Sequence, residues 1–317
     1  MEQAGNTFEG KIKMKANEGL MSRSEKVYQV VIIVVLGLLA LTCIIPMYYV
    51  LVTSFVTKGD LDTHNNLILW PIHWTLESYK FFFINQSIFV SFRTSILRVI
   101  SGTLLQLFVC SFAALGLSKE DLPGKKGFII ILIASMFVTP AMIPGYLWAL
   151  QNHTANTFWI YILPPAYSAF GIILFRQFFM DLPPSLIESA QIDGISEPNL
   201  MRYIIIPLSK PIFATVTLFC AVGLWNDYIT NMIYISDQGL MTLAYYLQQT
   251  LTGMINMMSA SSTFNGITNG ASNVYNAAPT QGFKMAAVVV STVPILCIYP
   301  FLQKYFAAGM LTGAIKG

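Results

Sequence analysis

The chain has 317 residues, of which 55% are hydrophobic and 10% are charged, and its formal net charge is +3 at pH 7. A soluble domain carries about 25% charged residues, so this composition excludes an ordinary water-soluble protein. The basic residues are spread along the chain and form no patch, so we expect a lipid bilayer as the surroundings and no nucleic-acid partner.

Apolar segments follow one another along the chain, and each approaches about 20 residues, the length that crosses a bilayer as an α-helix. The six segments span residues 27–55, 91–118, 127–150, 158–180, 203–226 and 285–306. Their hydrophobicity is continuous, whereas a lone open sheet would leave backbone groups unpaired in lipid. The sequence therefore predicts an all-α, polytopic membrane protein with six transmembrane helices.

Lys and Arg residues assign the loops to the two sides of the membrane, because cytoplasmic loops carry an excess of both. If the amino terminus is cytoplasmic, thirteen of the eighteen lie on the inner side. We therefore expect both termini inside, a basic cytoplasmic arm over residues 1–26, and a membrane domain over residues 27–317. The connections 119–126 and 181–211 then also lie in the cytoplasm.

The same topology places residues 56–90 and the long, Ser-, Thr- and Asn-rich segment of about residues 227–284 on the outer side. Arg93 and Arg98 fall near the outer end of the second apolar segment. We interpret them as side chains that extend to the membrane interface, in preference to a role in the solute path.

Residues 181–211, "DLPPSLIESAQIDGISEPNLMRYIIIPLSKP", predict two short helices separated by a glycine. Ser185 and Glu188 match a capping box, while Gly194 suits a left-handed C-terminal cap. Ser196 offers a second N-cap, and Pro207 is expected to kink the return to the membrane. These residues alone leave open whether the loop is a capped connector with solvated acids or a binding projection.

Aromatic and polar residues near the ends of two apolar segments are candidates for a solute path. Trp225, Asn226, Asp227 and Tyr228 end the fifth segment, and Tyr146 and Trp148 follow two prolines in the third. Sugars bind through hydrogen bonds and through stacking on aromatic faces, so we expect these residues to border the path. Two alternatives remain open: Trp and Tyr can form an interfacial aromatic belt, and Asp227 can simply cap the outer segment.

The cytoplasmic connection resembles the EAA motif of ATP-binding-cassette (ABC) importer permeases. The matching residues are Glu188, Ser189, Ala190, Asp193, Gly194, Ile206 and Pro207, with Ser189 in place of an Ala. Three further stretches resemble the subgroup that imports carbohydrates: "LFRQFFMDLPPSLIESAQIDG", "WPIHWTLESYKFFF" at 70–83 and the ending "GMLTGAIKG". Within that subgroup, the chain resembles the inner-membrane component of maltose-type systems. These landmarks span about residues 27–317.

The resemblance implies the type I importer permease fold and a set of roles. Coupling helices at about residues 183–202 would dock on an ATPase, through Glu188, Ser189, Ala190, Asp193 and Gly194, with Pro207 nearby. Gly313, Lys316 and Gly317 of a cytoplasmic tail, residues 307–317, would also reach the ATPase. The implied partners are a second permease subunit, two ATPase subunits and an extracytoplasmic solute-binding protein, in a bacterial plasma (inner) membrane. The implied function is ATP-driven import of carbohydrates, above all oligosaccharides, by alternating access.

Nucleotide chemistry is not expected in this chain, which has no G-x-x-x-x-G-K-[ST] pattern. We therefore predict a non-catalytic subunit with no catalytic residues, metal site or bound cofactor, whose partner ATPase uses ATP and Mg²⁺. The rival interpretation is an ion-coupled secondary transporter of a small polar solute. Such proteins usually place ionisable groups within the membrane, and the apolar segments contain no Asp or Glu. Unwound backbone carbonyls could still bind sodium, so this alternative stays open, as does a channel or receptor subunit.

Overall fold

The computed structural model describes residues 23–63, 70–71, 73–84, 86–119, 121–138, 141–252 and 281–314. Within these residues every regular element is a helix, apart from one antiparallel bridge between Val56 and Trp74. The predicted all-α class is therefore confirmed. Most of the arm 1–26, residues 253–280 of the predicted outer segment, and Lys316 and Gly317 lie outside the described residues.

The α-helices have the following bounds: α1 Arg23–Ser54, α2 Lys58–Thr63, α3 Glu77–Ile84, α4 Gln86–Ser118, α5 Lys125–Phe137, α6 Met142–Gln151, α7 Ala169–Met180, α8 Pro184–Ile192, α9 Glu197–Leu200, α10 Ile206–Leu208, α11 Lys210–Asn226, α12 Ile229–Tyr234, α13 residues 243–252, and α14 Gln281–Ala314. Short 3₁₀ helices cover Phe158–Tyr161, Pro164–Ala166 and Gln238–Leu240, and a π-helix covers Met201–Ile205.

Six apolar spans result when each bent pair of helices is counted as one span. Helices α1, α4 and α14 are long and apolar enough to cross a bilayer without a break. The third span is broken between α5 and α6. The fourth bends by 44° between Phe158–Ala166 and α7, and the fifth by 90° between Glu197–Leu208 and α11. Prolines lie in or beside the bends of the fourth and fifth spans. Because proline has no N–H to donate, it interrupts the helical hydrogen bonds there.

Helix α4 is at the centre of the bundle and packs against α7 and α11, while α14 packs against α1 and α11. Gly102 of α4 permits this close approach, because a Cβ there would lie only 2.8 Å from Leu224 Cδ1 of α11. Most of α1 is apolar and exposed along its length. Such a surface is unfavourable in water and favourable in lipid, so the fold suits a bilayer.

Side-chain contacts group the loops at two opposite ends of α4. At one end, Lys119 forms an ion pair with Glu197, and Arg176 Nε donates to the Leu117 carbonyl at 3.1 Å. At the other end, the backbone N–H of Leu243 donates to Ser95 Oγ at 2.7 Å. The connections that charge assigned to one side of the membrane therefore lie together. Which end is cytoplasmic stays a prediction from the Lys and Arg distribution.

Candidate coupling loop and solute cleft

Helix α8 ends in the left-handed cap predicted at Gly194. Its φ is +73°, a conformation that glycine adopts without steric cost. The N–H of Ile195 donates to the Ala190 carbonyl at 3.1 Å, closing the six-residue bond of a Schellman motif. This turn separates α8 from α9 and makes the loop a short helix–turn–helix.

The starts of these two helices differ from the predicted caps. Helix α8 begins at Pro184, and the N–H of Leu186 donates to the Pro183 carbonyl, so Ser185 lies inside the first turn. The capping box with Ser185 as its cap is therefore wrong. The tandem prolines start the helix earlier, since their fixed φ suits a first turn that needs no N–H. Ser196 does occupy the N-cap position of α9, but its side chain makes no capping hydrogen bond.

The two faces of α8 have different surroundings. Ala190 is buried in a core cluster that also contains Phe175 of α7 and Ile205 of the π-helix. The side chains of Glu188, Ser189 and Asp193 are exposed, as is Gly194. Ile192, at the tip, exposes 87% of its surface. The loop is therefore anchored to the membrane helices on one face and presents an acidic face with an apolar tip on the other.

The remaining predicted coupling residues lie away from this tip. Pro207 is exposed in the first turn of α10, just before the 90° bend at the buried Ser209. It therefore belongs to the hinge that joins the loop to α11. Gly313 lies in the last turn of α14, so the predicted tail 307–317 is helical as far as Ala314.

Arg98 of α4 is buried, with none of its surface exposed. Its guanidinium pairs with the Asp227 carboxylate, its Nη1 donates to the Asp227 carbonyl at 2.9 Å, and its Cζ lies 4.6 Å from the centre of the Tyr161 ring. The interpretation that Arg98 extends to the membrane interface is therefore wrong. A buried guanidinium needs an anionic partner, and this one lies 129 residues further along the chain. Arg93 is exposed, as expected.

Asp227 has a second role that the sequence analysis had offered as an alternative. Its Oδ1 accepts a hydrogen bond from the Thr230 N–H at 3.1 Å, at the start of α12. The residue therefore caps the outer segment and neutralises Arg98 at the same time.

A cleft of about 380 Å³ lies between α4, α7 and α11, and we call it the α11 cleft. Helix α11 contributes one face to it, made of Val216, Phe219, Cys220, Gly223 and Leu224, and Asp227 lies at its outer end. The facing wall includes Gln106, Tyr167, Ser168 and Phe170. Gln106 Oε1 accepts a hydrogen bond from the Cys220 thiol at 2.7 Å. The cleft therefore combines aromatic rings with polar groups.

The structure divides the six predicted path residues among three places. Trp225, Asn226 and Tyr228 line a separate cavity of about 190 Å³ between α11, α13 and α14. The Trp225 indole is 9% exposed and donates to the Ser291 carbonyl at 3.0 Å, so it fastens α11 to α14.

Tyr146 and Trp148 lie on α6, where the Tyr146 ring approaches that of Tyr234 at 6.1 Å. Of the six predicted path residues, Asp227 alone lines the α11 cleft. The sequence analysis did not name Gln106, Tyr167 or Gly223, which also line this cleft. The α11 residues that line the cleft recur every three or four positions from Val216 to Asp227, so they lie on one face of the helix. This spacing could have indicated the α11 wall of the cleft from the sequence.

In the described residues, up to six apolar spans, three of them bent pairs, with an exposed helix–turn–helix at one end, are typical of the membrane subunit of a transporter. The family model described as "Binding-protein-dependent transport system inner membrane component" matches residues 16–312, and the chain belongs to this family.

Curated relatives and a solved structure agree with this family. Protein LplC of Bacillus subtilis strain 168 is 37% identical over 297 residues, covering 93% of this chain and 97% of the relative. The "polygalacturonan/rhamnogalacturonan transport system permease protein YtcP" of the same organism is 34% identical over 278 residues, covering 88% and 94%. The crystal structure of a bacterial ABC transporter involved in importing the acidic polysaccharide alginate has a chain with a TM-score of 0.75 and 26% identity, covering 90% of this chain and 99% of its own. The resemblance to ABC importer permeases is thereby confirmed.

Proposed function

We propose that this permease subunit imports carbohydrates, above all oligosaccharides, across the bacterial plasma membrane by alternating access. Its partners are a second permease subunit, two ATPase subunits that use ATP and Mg²⁺, and an extracytoplasmic solute-binding protein. The chain itself is non-catalytic and binds no cofactor. Family membership and the carbohydrate names of its relatives support the proposal.

The observation that carries the proposal is the two-faced helix α8. Its outer face presents Glu188, Ser189 and Asp193 around the apolar tip residue Ile192. Isolated exposed apolar residues are common, but this one lies at the projecting end of a motif with the EAA pattern. An apolar tip with a polar rim suits insertion into a groove of a partner protein, here the ATPase.

Movement of the ATPase can reach the membrane helices through the inner face of the loop. Ala190 and Ile205 pack in the same cluster as Phe175 of α7 and Val216 of α11. A closely packed core transmits displacement because it has little room to deform. The bend at Ser209 provides a hinge between this packed region and α11. ATP-driven closure of the ATPases therefore pulls on residues 185–199 and opens the pore outward.

The docking face is tested by replacing Ile192 with Asp. The side chain is exposed, so the variant retains the fold, and a carboxylate at the tip opposes insertion into an apolar groove. We expect the purified complex to lose most of its bound ATPase and at least 90% of its ATP-dependent uptake. Pro123→Asp, which adds the same charge at an exposed position of the neighbouring connection, is the matched control. Normal ATPase binding in the Ile192→Asp complex would contradict the proposal.

The secondary-transporter alternative is tested with the same reconstituted vesicles. The carboxylate at the outer end of α11, Asp227, is engaged by Arg98 and Thr230, an arrangement that favours a structural role over ion binding. We expect uptake to require ATP and to be indifferent to an imposed sodium or proton gradient. Uptake driven by either gradient without ATP would replace the importer proposal with the alternative.

A further inference from the structure

The segment Glu197–Leu208, which we call the hinge segment, lies across the direction of the membrane spans. It consists of α9, the π-helix and α10 in continuous succession, and its axis is bent by 90° from that of α11. At about 1.5 Å per residue, the segment is roughly 18 Å long. Because α11 crosses the membrane and begins at Lys210, the hinge segment remains near the level of the membrane surface along its length.

The hinge segment has one buried face and one exposed face. Leu200, Met201 and Ile205 are buried in the core cluster, together with residues of α4 and α7. On the other side, Tyr203 and Ile206 expose 62% and 38% of their surface. Exposed apolar groups at this level are unfavourable in water and favourable at the boundary between headgroups and acyl chains, where Tyr is enriched. The exposed face is therefore suited to contact with lipid.

Two cations of this region are available to an anion. Arg202 and Lys210 are both exposed, and among the described residues neither has a carboxylate within ion-pair distance. The only acid in the sequence of the hinge segment, Glu197, is engaged by Lys119. The Arg202 guanidinium lies 5.4 Å from the centre of the Tyr203 ring, within the range of a cation–π contact. The exposed face therefore combines unpaired positive charge with an interfacial aromatic ring.

We propose that the exposed face of the hinge segment binds the headgroups of anionic phospholipids through Arg202 and Lys210, with Tyr203 and Ile206 at the boundary of the acyl chains. Basic side chains next to a membrane surface are attracted to anionic lipids and gain no such attraction from lipids without net charge. The planar guanidinium also forms paired hydrogen bonds with phosphate oxygens. Lipid binding at this face does not depend on which solute the subunit imports.

Charge favours lipid over a protein partner as the occupant of this face. The exposed side of α8 carries Glu188 and Asp193, so a partner surface that complements α8 is basic. Such a surface would repel Arg202 and Lys210. Anionic headgroups attract these two cations and lie at the level that the 90° bend gives to the hinge segment.

Contact with lipid is tested by a fluorophore at position 203. Tyr203→Cys, in an otherwise cysteine-free complex of both permease and both ATPase subunits, is labelled with bimane. The complex is placed in nanodiscs of equal parts phosphatidylglycerol and phosphatidylcholine, with one lipid or the other brominated. We expect brominated phosphatidylglycerol to quench the bimane at least about twofold more strongly, because the two cations enrich it at this face.

The other outcomes each contradict the proposal. Equal quenching by the two lipids would overturn the preference for anionic headgroups. Quenching by neither lipid would overturn lipid contact altogether, and aqueous iodide then distinguishes the remaining cases. A bimane that iodide quenches faces water, whereas one that iodide does not reach is covered by the ATPase or the second permease.

The source of the preference is tested by removing both charges from the labelled complex. Arg202→Gln/Lys210→Gln should make the two lipids quench equally, while the charge-conserving pair Arg202→Lys/Lys210→Arg should keep the preference. Lys80→Gln, which removes one charge from an exposed position of α3, is a further control and should also keep it. If the double variant fails to assemble, each single Gln variant should show a reduced preference. An undiminished preference in the Gln variants would overturn the proposal.

Discussion

Gly194 has a conformation that an L-residue with a Cβ adopts only at a steric cost of roughly 1–2 kcal/mol. Nothing lies within 4 Å of the position a Cβ would take, so the requirement for glycine comes from the backbone and not from packing. The turn that exposes Ile192 therefore depends on this one residue.

Gly194→Ala should lower the free energy of unfolding by about 1 kcal/mol and reduce the sugar imported per ATP hydrolysed. The strain falls on the turn that holds the docking face. Denaturation in detergent and parallel uptake and ATPase assays measure the two effects. Gly194→Asn should be milder, since Asn tolerates the left-handed region better than Ala. Equal effects of Ala and Asn would show that the backbone conformation is not the cause.

Arg98 shows the limit of interpretation from a single residue. An Arg near the end of an apolar helix commonly extends to the interface, and sequence alone favours that interpretation. The structure buries it because Asp227, which is remote in the chain, and the Tyr161 ring are both present to receive it.

Helix α4 and helix α11 approach each other closely at Gly102, where side-chain volume decides the spacing. A second glycine on the same helix, Gly116, has no atom within 4 Å of its Cβ position. The two positions therefore form an internal comparison of helix packing.

Gly102→Val should destabilise the protein by about 1–3 kcal/mol, since the added atoms meet the buried Leu224 side chain, which must leave its preferred rotamer. Gly116→Val, which adds the same atoms in open space, should change stability by less than about 0.5 kcal/mol. Chemical denaturation in detergent measures both. Equal losses in the two variants would contradict the assigned packing of α4 against α11.

The sequence predicted some, but not all, features of the broken helices. Pro207 indicated a kink where the chain returns to the membrane, and the fifth span bends there by 90°. The direction of the 90° bend and the π-helix that precedes it were not predictable, because they depend on how Met201 and Ile205 pack into the core cluster.

In the whole molecule, the loops form two groups, one at each end of α4. This grouping, which rests on side-chain contacts, agrees with the topology inferred from Lys and Arg. The contacts alone divide the loops into these two groups, but they do not show which side of the membrane each group occupies.

The orientation is tested by thiol labelling in a cysteine-free background. Asp237→Cys and Asp121→Cys place single exposed thiols at the two ends. A membrane-impermeant maleimide should label the Asp237→Cys protein in intact cells and the Asp121→Cys protein only after permeabilisation. The reverse pattern would invert the topology and contradict a cytoplasmic coupling loop.

The sequence by itself determined the helical class, the six spans, the predicted topology and the glycine-capped loop. These depend on local composition and on the conformational preferences of individual residues, which need no knowledge of the fold. Tertiary structure alone decided that Arg98 is buried against Asp227, that Trp225 fastens α11 to α14, and that one face of α11 lines a cleft. These features depend on helix rotation and on contacts between distant residues. When nearly all faces of an apolar segment are equally hydrophobic, its sequence does not show which face turns toward which neighbour.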